Sequence, residues 1–100
     1  MTQAETYRYR SGAYSYVDVQ ANAVYPSGLY NTDNLTRCRT RLYKSNTNAE
    51  IISESYVLKE GQAATHVSLN EGYLNTYYYD ICFAGYTNAA AVVDYTYNGH

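Results

Sequence analysis

The residues that could do acid–base, nucleophilic or metal chemistry are few in this sequence and widely spaced. They amount to two cysteines, two histidines and nine carboxylates in one hundred residues. A cysteine nucleophile needs a base such as His66 within reach, but the run from His66 to Leu69 predicts a strand that turns its valine and leucine inward and His66 outward. No HExxH, CxxC, GxSxG or glycine-rich phosphate motif occurs. We therefore expect no enzyme, no metal and no cofactor.

Cys38 and Cys82 are the only cysteines of the chain. An even cysteine count in a short, lysine-poor β-rich chain is compatible with a secreted domain held by a disulfide. The alternative is a pair of buried thiols in a reduced, cytosolic protein. We expect the first, a Cys38–Cys82 bridge.

Tyrosine is the most informative contact residue, with fifteen copies and no tryptophan. Eight of the tyrosines form Tyr-x-Tyr pairs: Tyr7/Tyr9, Tyr14/Tyr16, Tyr77/Tyr79 and Tyr95/Tyr97. A spacing of two places both rings on one face of a strand, whereas on a helix they would point nearly opposite ways. Because a tyrosine ring combines large contact area with few rotatable bonds, such pairs suit a half-wet sheet face or a binding surface.

Three arginines, Arg37, Arg39 and Arg41, share the same period of two. Three guanidinium groups on one strand face could hold a carboxylate or a phosphate. The alternative is an ordinary solvated strand face whose arginines pair with neighbouring glutamates. The three arginines are retained as candidate binding residues.

These candidates must be positioned by β-strands, because no segment longer than a turn shows an apolar period of 3.6. Alternation between turn signals predicts seven strands, at 6–10, 13–25, 35–44, 50–59, 63–69, 74–85 and 89–97. Seven short strands at regular spacing predict one all-β domain over residues 1–100, an antiparallel sandwich with a small barrel as the alternative.

The alternation also assigns faces to two of the strands. In the second strand it places Val17, Val19, Ala21, Ala23 and Tyr25 toward the core. In the third, outward arginines turn Thr36, Cys38, Thr40 and Leu42 inward.

The strand at 74–85 carries apolar or aromatic residues on both faces, so its orientation is ambiguous. An inward Cys82 would turn Ile81 and Phe83 away from the core. A central strand covered on both faces, or a bulge that resets the register, would resolve the conflict structurally. The other solution is an exposed, tyrosine-flanked patch that binds a partner. On this second interpretation, the candidate binding residues are Tyr77, Tyr79 and Phe83.

Cysteine spacing loosely resembles that of immunoglobulin-like domains, whose two sheets are joined by one disulfide. The chain lacks their tryptophan, and Asp80 stands two residues before Cys82 where those domains carry a tyrosine. The sequence is therefore assigned to the sandwich architecture and to no family.

Composition narrows the function to binding. A net charge of −2 with 16% charged residues predicts no nucleic-acid partner, and no apolar run is long enough for a transmembrane segment. We expect a non-enzymatic extracellular module that binds a protein in preference to a carbohydrate, because tryptophan, the strongest sugar platform, is absent. The alternatives are a secreted toxin, bacteriocin or inhibitor, and a structural unit of a surface layer or fibre.

The expected location is secreted or cell-surface, with the cytoplasm as the alternative. The first five residues do not resemble a signal peptide. We interpret the chain as a mature secreted domain that carries a start methionine. The sequence makes no prediction of oligomeric state.

Overall fold

The period-two alternation corresponds to seven β-strands in the computed structural model, which describes residues 1–27, 36–86 and 90–100. The strands are β1 (Thr2–Tyr9), β2 (Tyr16–Ser27), β3 (Arg37–Lys44), β4 (Tyr56–Lys59), β5 (Thr65–Ser68), β6 (Tyr78–Gly85) and β7 (Ala90–Asn98). A 3₁₀ turn, Glu71–Tyr73, precedes β6.

The strands form two antiparallel sheets with the orders β1-β6-β3-β4 and β5-β2-β7. β7 packs over β6, and β2 packs over β3 and β4, so the sheets enclose one core between their inner faces. The predicted all-β sandwich of about seven strands is confirmed.

The core consists of the inward residues of both sheets. Its buried members are Val17, Val19, Ala21, Val24, Cys38, Leu42, Ile52, Leu58, Val67, Leu69, Tyr79, Ile81 and Phe83. Each fully buried aliphatic side chain contributes about 1.5 to 3 kcal/mol through the water it no longer orders. The prediction that β3 turns Cys38, Thr40 and Leu42 inward is confirmed, although Thr36, just before the strand, is exposed.

A bulge changes the second half of β2. The β2–β7 pairing skips one residue between Ala21 and Ala23, so the inward set continues at Val24 and Tyr25 becomes exposed. The predicted inward positions Ala23 and Tyr25 are therefore wrong, because an inserted residue reverses every later side chain of a strand.

The predicted strand at 50–59 is shorter than expected. Only its second half forms β4, while Ile51 and Ser53 make isolated bridges to Tyr43 and Leu69. This segment contacts both sheets, since Ser53 bridges Leu69, the residue directly after β5, and its hydroxyl oxygen accepts the amide of Leu42 in β3. The described residues contain no helix that is long and apolar enough to cross a membrane.

Candidate functional site

The structure separates the residues that the sequence grouped as a binding cluster. In the β3–β6 ladder Ile81 lies opposite Leu42 and Phe83 opposite Thr40. Directly opposed residues share a sheet face, so Tyr79, Ile81 and Phe83 point into the core, as their burial confirms. Of the predicted trio Tyr77, Tyr79 and Phe83, Tyr77 alone is exposed. Tyr79 and Phe83 are therefore core residues, contrary to the expected exposed cluster.

The predicted disulfide is also wrong: Cys38 and Cys82 are both free thiols. Cys38 lies opposite Gly85, whereas Cys82 lies opposite Arg41 on the outer face of the same sheet. The two sulfur atoms point to opposite faces, and their residues lie well apart along the ladder, so no bridge can form between them. Burial raises the pKa of each thiol to about 11, which keeps both protonated and unreactive at neutral pH.

The predicted arginine stripe lies on the outer face of the four-stranded sheet, but it contacts its own sheet. Arg37 lies over the Tyr86 ring, 5.4 Å from the ring centroid. The Arg39 Nε donates to the Gly85 carbonyl at 2.8 Å, and the Arg41 Nε is buried without a partner among the described residues. The stripe therefore covers the sheet, and its role in binding stays a prediction.

A different group of rings is exposed together, at one end of this sheet. We call Tyr7, Tyr9, Tyr77 and Tyr78 the tyrosine surface. Tyr7 stacks on Tyr78 with ring centroids 4.6 Å apart and planes at 13°, and Tyr9 tilts against Tyr78 at 5.5 Å. Tyr7 is 65% exposed and Tyr78 43%, so the stack presents wide ring faces to solvent.

The buried carboxylate of Asp80 positions this stack from beneath. Its two oxygens accept the Tyr7 amide at 2.9 Å, the Gln3 side-chain amide at 2.7 Å and the Ser45 hydroxyl. The bond to Tyr7 coincides with a register shift in β1 and with a left-handed backbone at Tyr7, φ 53°. A non-glycine residue in that region is strained. The carboxylate therefore stabilises the bulge that turns the Tyr7 ring onto Tyr78.

Tyr77 is fixed by a second buried charge. The Arg10 guanidinium is almost fully buried and donates to the backbone carbonyls of Tyr14, Leu74 and Thr76. It also lies 5.7 Å from the centre of the Tyr77 ring. Burial lowers the pKa of Arg10, yet the carbonyl bonds satisfy the charge without a carboxylate.

Gly12 also fixes the position of the Tyr77 ring. Its φ is +85°, and a β-carbon at this position would meet the Tyr77 ring at 2.8 Å. Any other residue would therefore be strained and would displace the ring. The Tyr77 ring thus packs against the Gly12 backbone and lies near the guanidinium group of Arg10.

A groove of about 390 Å³ adjoins the tyrosine surface. Its walls are Tyr7, Lys44, Ser45, Asn75, Thr76, Tyr77 and Tyr78. Aromatic faces beside hydroxyl and amide groups, with one ammonium, suit a polar segment that makes several hydrogen bonds.

The outer face of the three-stranded sheet carries a separate polar cluster. His66 and His100 each direct a ring nitrogen at a different oxygen of Asp18, and the His100 contact measures 2.6 Å. Tyr16 stacks on the His66 ring at 4.0 Å. Burial opposes the charge on Asp18, but the two imidazole hydrogen bonds outweigh it and hold the pKa of that carboxyl below its ordinary value.

This cluster lacks the groups that catalysis or metal binding would add. Among the described residues neither imidazole of this cluster bonds a hydroxyl or a thiol through its other nitrogen, which is the contact by which a histidine activates a nucleophile. The same residues contain no group of three or more His, Cys, Asp or Glu arranged to hold a metal ion. The predicted outward orientation of His66 is confirmed, but its partner Asp18 was not foreseen, nor was the pairing of His100.

Sequence reasoning missed the residues that build the site. Asp80 and Arg10 act through bonds to backbone groups far away in the sequence, which no local pattern signals. The Tyr7/Tyr9 pair was visible as a spacing of two, but nothing in the sequence showed that Tyr78 would lie beside it. Comparison with protein-family models, curated proteins and solved structures finds no match for this chain.

Proposed function

We propose that this chain is a non-enzymatic binding module that presents the tyrosine surface to a protein partner. The observation that carries the proposal is the exposed stack of Tyr7, Tyr78 and Tyr9, held in place by a buried carboxylate that makes three hydrogen bonds. A surface ordered before binding loses little conformational entropy on association.

The strain at Tyr7 supports a functional reading of this surface. A left-handed tyrosine in a strand costs about 1 to 3 kcal/mol and persists where the surroundings impose it. Here the imposed conformation interrupts the regular β1–β6 ladder at Tyr7 and exposes the ring of that residue. Tyrosine is also among the residues most enriched at interface centres.

A protein partner fits this surface better than a carbohydrate. The surface consists of tyrosine rings, and the chain has no tryptophan, the residue on which sugars stack most strongly. The adjoining groove offers Ser45, Asn75 and Thr76 for hydrogen bonds and a single positive charge, Lys44. We infer that a partner segment places aromatic or apolar residues on the stack and polar backbone in the groove.

The absence of catalytic activity and the extracellular location belong to the same proposal. Because Cys38 and Cys82 are free thiols, a disulfide no longer supports secretion. The proposed extracellular location rests on the sparsely charged, tyrosine-rich composition. In place of catalytic chemistry, the chain offers contact residues.

Selection from two defined libraries tests the proposal. A displayed random peptide library and a glycan array are each probed with the wild-type chain and with the Tyr7→Ser/Tyr78→Ser variant. We expect peptide ligands whose dissociation constants, measured by calorimetry, rise at least about tenfold in the variant, as truncation of central tyrosines at an interface does.

The matched control is Tyr25→Ser, which removes a similarly exposed tyrosine from the other sheet. This variant should bind the selected peptides like the wild type. Ligands drawn mainly from the glycan array would reject a protein partner. Peptides whose dissociation constants stay unchanged when each of the four tyrosines of the tyrosine surface is replaced by serine would reject the site.

A further inference from the structure

The outer face of the four-stranded sheet concentrates positive charge. The arginine stripe continues onto β4, because Lys59 lies directly opposite Arg37, and directly opposed like charges destabilise a strand pair. Among the described residues no carboxylate forms an ion pair with the stripe or with Lys59. Asp80 shares this face, but its oxygens already accept three hydrogen bonds. The fold therefore keeps these cations together without neutralising them.

Two buried polar atoms beside the stripe, the Arg41 Nε and the Ser55 Oγ, have no hydrogen-bond partner among the described residues. The β3–β4 ladder ends with Thr40 opposite Tyr56, so the next residues, Arg41 and Ser55, are neighbours at the end of this ladder. The Arg41 side chain as a whole is only half-buried. A buried donor without an acceptor is costly, and a ligand that supplies the acceptor removes that cost.

The other two guanidinium groups are held in place but keep free donors. The Arg39 Nε donates to the Gly85 carbonyl at 2.8 Å, and an arginine carries four more N–H bonds on its terminal nitrogens. Arg37 is positioned by the Tyr86 ring and hydroxyl. Because these side chains are ordered before a ligand arrives, binding costs them little conformational entropy.

We propose that the arginine stripe binds an extended acidic segment of a partner protein, with carboxylates at alternate positions of that segment. The Cα atoms of Arg39 and Arg41 are about 6.6 Å apart along β3, and alternate side chains of an extended ligand have the same spacing and point to one face. One carboxylate then meets Arg39. The next meets Arg41, whose guanidinium turns its Nε edge toward the incoming oxygens, and the Ser55 hydroxyl donates to the same group.

An acidic peptide segment fits this face better than a nucleic acid. The whole chain has a net charge of −2, so its long-range field does not gather polyanions. Nucleic-acid binding draws on many phosphate contacts, whereas this face offers the stripe and Lys59. The stripe shares no residue with the tyrosine surface. This second contact site is therefore independent of the proposed function, and either proposal can fail alone.

An NMR titration with two peptides tests the pairing. The probe is an end-blocked peptide in which Glu alternates with Thr. The comparison peptide has the same composition with Glu at every third position, so that neighbouring carboxylates point to opposite faces of an extended chain. We expect the alternating peptide to bind at least about threefold more tightly and to shift the side-chain Nε–H signals of Arg39 and Arg41.

Arg41→Met separates a binding role from a structural one. It removes the charge and the unsatisfied donor and keeps a long, flexible side chain. The dissociation constant of the alternating peptide should rise at least about fivefold, while the melting temperature should hold or rise because no hydrogen bond is lost. Arg39→Gln should weaken binding by a similar factor and serves if the first variant does not fold.

The matched control is Arg8→Gln, because Arg8 is an arginine of the same sheet whose charge Glu5 already pairs. This variant should bind the alternating peptide like the wild type.

Four results would overturn the proposal. They are the absence of binding, equal binding of the two peptides, unchanged affinity in the Arg41 and Arg39 variants, and tighter binding of inorganic phosphate or of a single-stranded oligonucleotide than of the alternating peptide. A large fall in the melting temperature of Arg41→Met would likewise reject it, because the guanidinium would then be satisfied within the chain.

Discussion

Tyr78 and Tyr79 are neighbours in β6, yet they belong to the two contrasting regions of this molecule. Tyr79 is 1% exposed, its hydroxyl is buried without a partner among the described residues, and burial raises its pKa to about 12. Tyr78 is 43% exposed and stacks on Tyr7. The same residue type thus fills the core on one face of a strand and forms a contact surface on the other. The fold, and not the residue, decides which.

The largest effect should come from the buried member of this pair. Tyr79→Ala removes a ring from the centre of the sandwich and should lower the free energy of unfolding by about 3 to 5 kcal/mol in urea titrations. Tyr79→Phe is the control: it removes a hydroxyl for which the described residues offer no partner, so stability should hold or rise by up to about 1 kcal/mol. A large loss with phenylalanine would show that the hydroxyl is hydrogen-bonded in solution.

Asp80→Ala should have the next largest effect and should connect the two regions. It leaves the Tyr7 amide, the Gln3 amide and the Ser45 hydroxyl without their acceptor, at a cost of about 2 to 3 kcal/mol. Hydrogen exchange at the Tyr7 amide should accelerate as the bulge relaxes. Asp94→Ala, at an exposed position of β7, should stay within about 0.5 kcal/mol of the wild type; equal losses in both variants would contradict the role given to Asp80.

Gly12→Ala should disturb the tyrosine surface with less damage to the core. A side chain in this left-handed backbone region costs about 1 to 2 kcal/mol, and the new methyl group must displace the Tyr77 ring, which NMR shifts of that ring would report. Gly72→Ala has nothing within 4 Å of its new methyl group and should change stability by less than about 0.5 kcal/mol. Unaltered Tyr77 shifts in the Gly12 variant would contradict the packing described.

The smallest change in stability should come from Tyr78→Ser. Losing the stack on Tyr7 costs about 1 kcal/mol or less, several times less than the loss from Tyr79→Ala. Peptides selected on the wild type should nevertheless lose affinity for this variant. A loss above about 3 kcal/mol in thermal or urea unfolding, the size expected for a buried aromatic, would place Tyr78 in the core and remove the distinction between the two positions.

The strand content of this fold was predictable from the sequence, because one-sided burial imposes an alternation that β3 displays clearly. Cys38 and Leu42 fall inward and the arginines between them outward, as expected. The face of β6 was not predictable in this way. Both of its faces carry apolar residues, so alternation shows that Tyr79 and Phe83 share a face but not that this face is the inner one.

Bulges and long-range bonds account for the other differences. The extra residue of β2, Asn22, reverses the later part of the strand, and neither its type nor its neighbours signal the insertion. The Cys38–Cys82 bridge was predicted from an even count, but the register of β3 against β6 separates the two residues. The bonds that Asp80 and Arg10 make with distant backbone groups depend on the completed fold.

The order of the strands also has a consequence for how the chain is made. β1 lies against β6, and β2 against β7, so each sheet joins an early strand to a late one. A ribosome that has released only the first half of the chain has supplied neither partner. Because closing such distant ladders is slow, we expect the growing polypeptide to stay without stable sheet structure until translation nears Asn98, the end of β7, and the first strands to depend on chaperones in the interval.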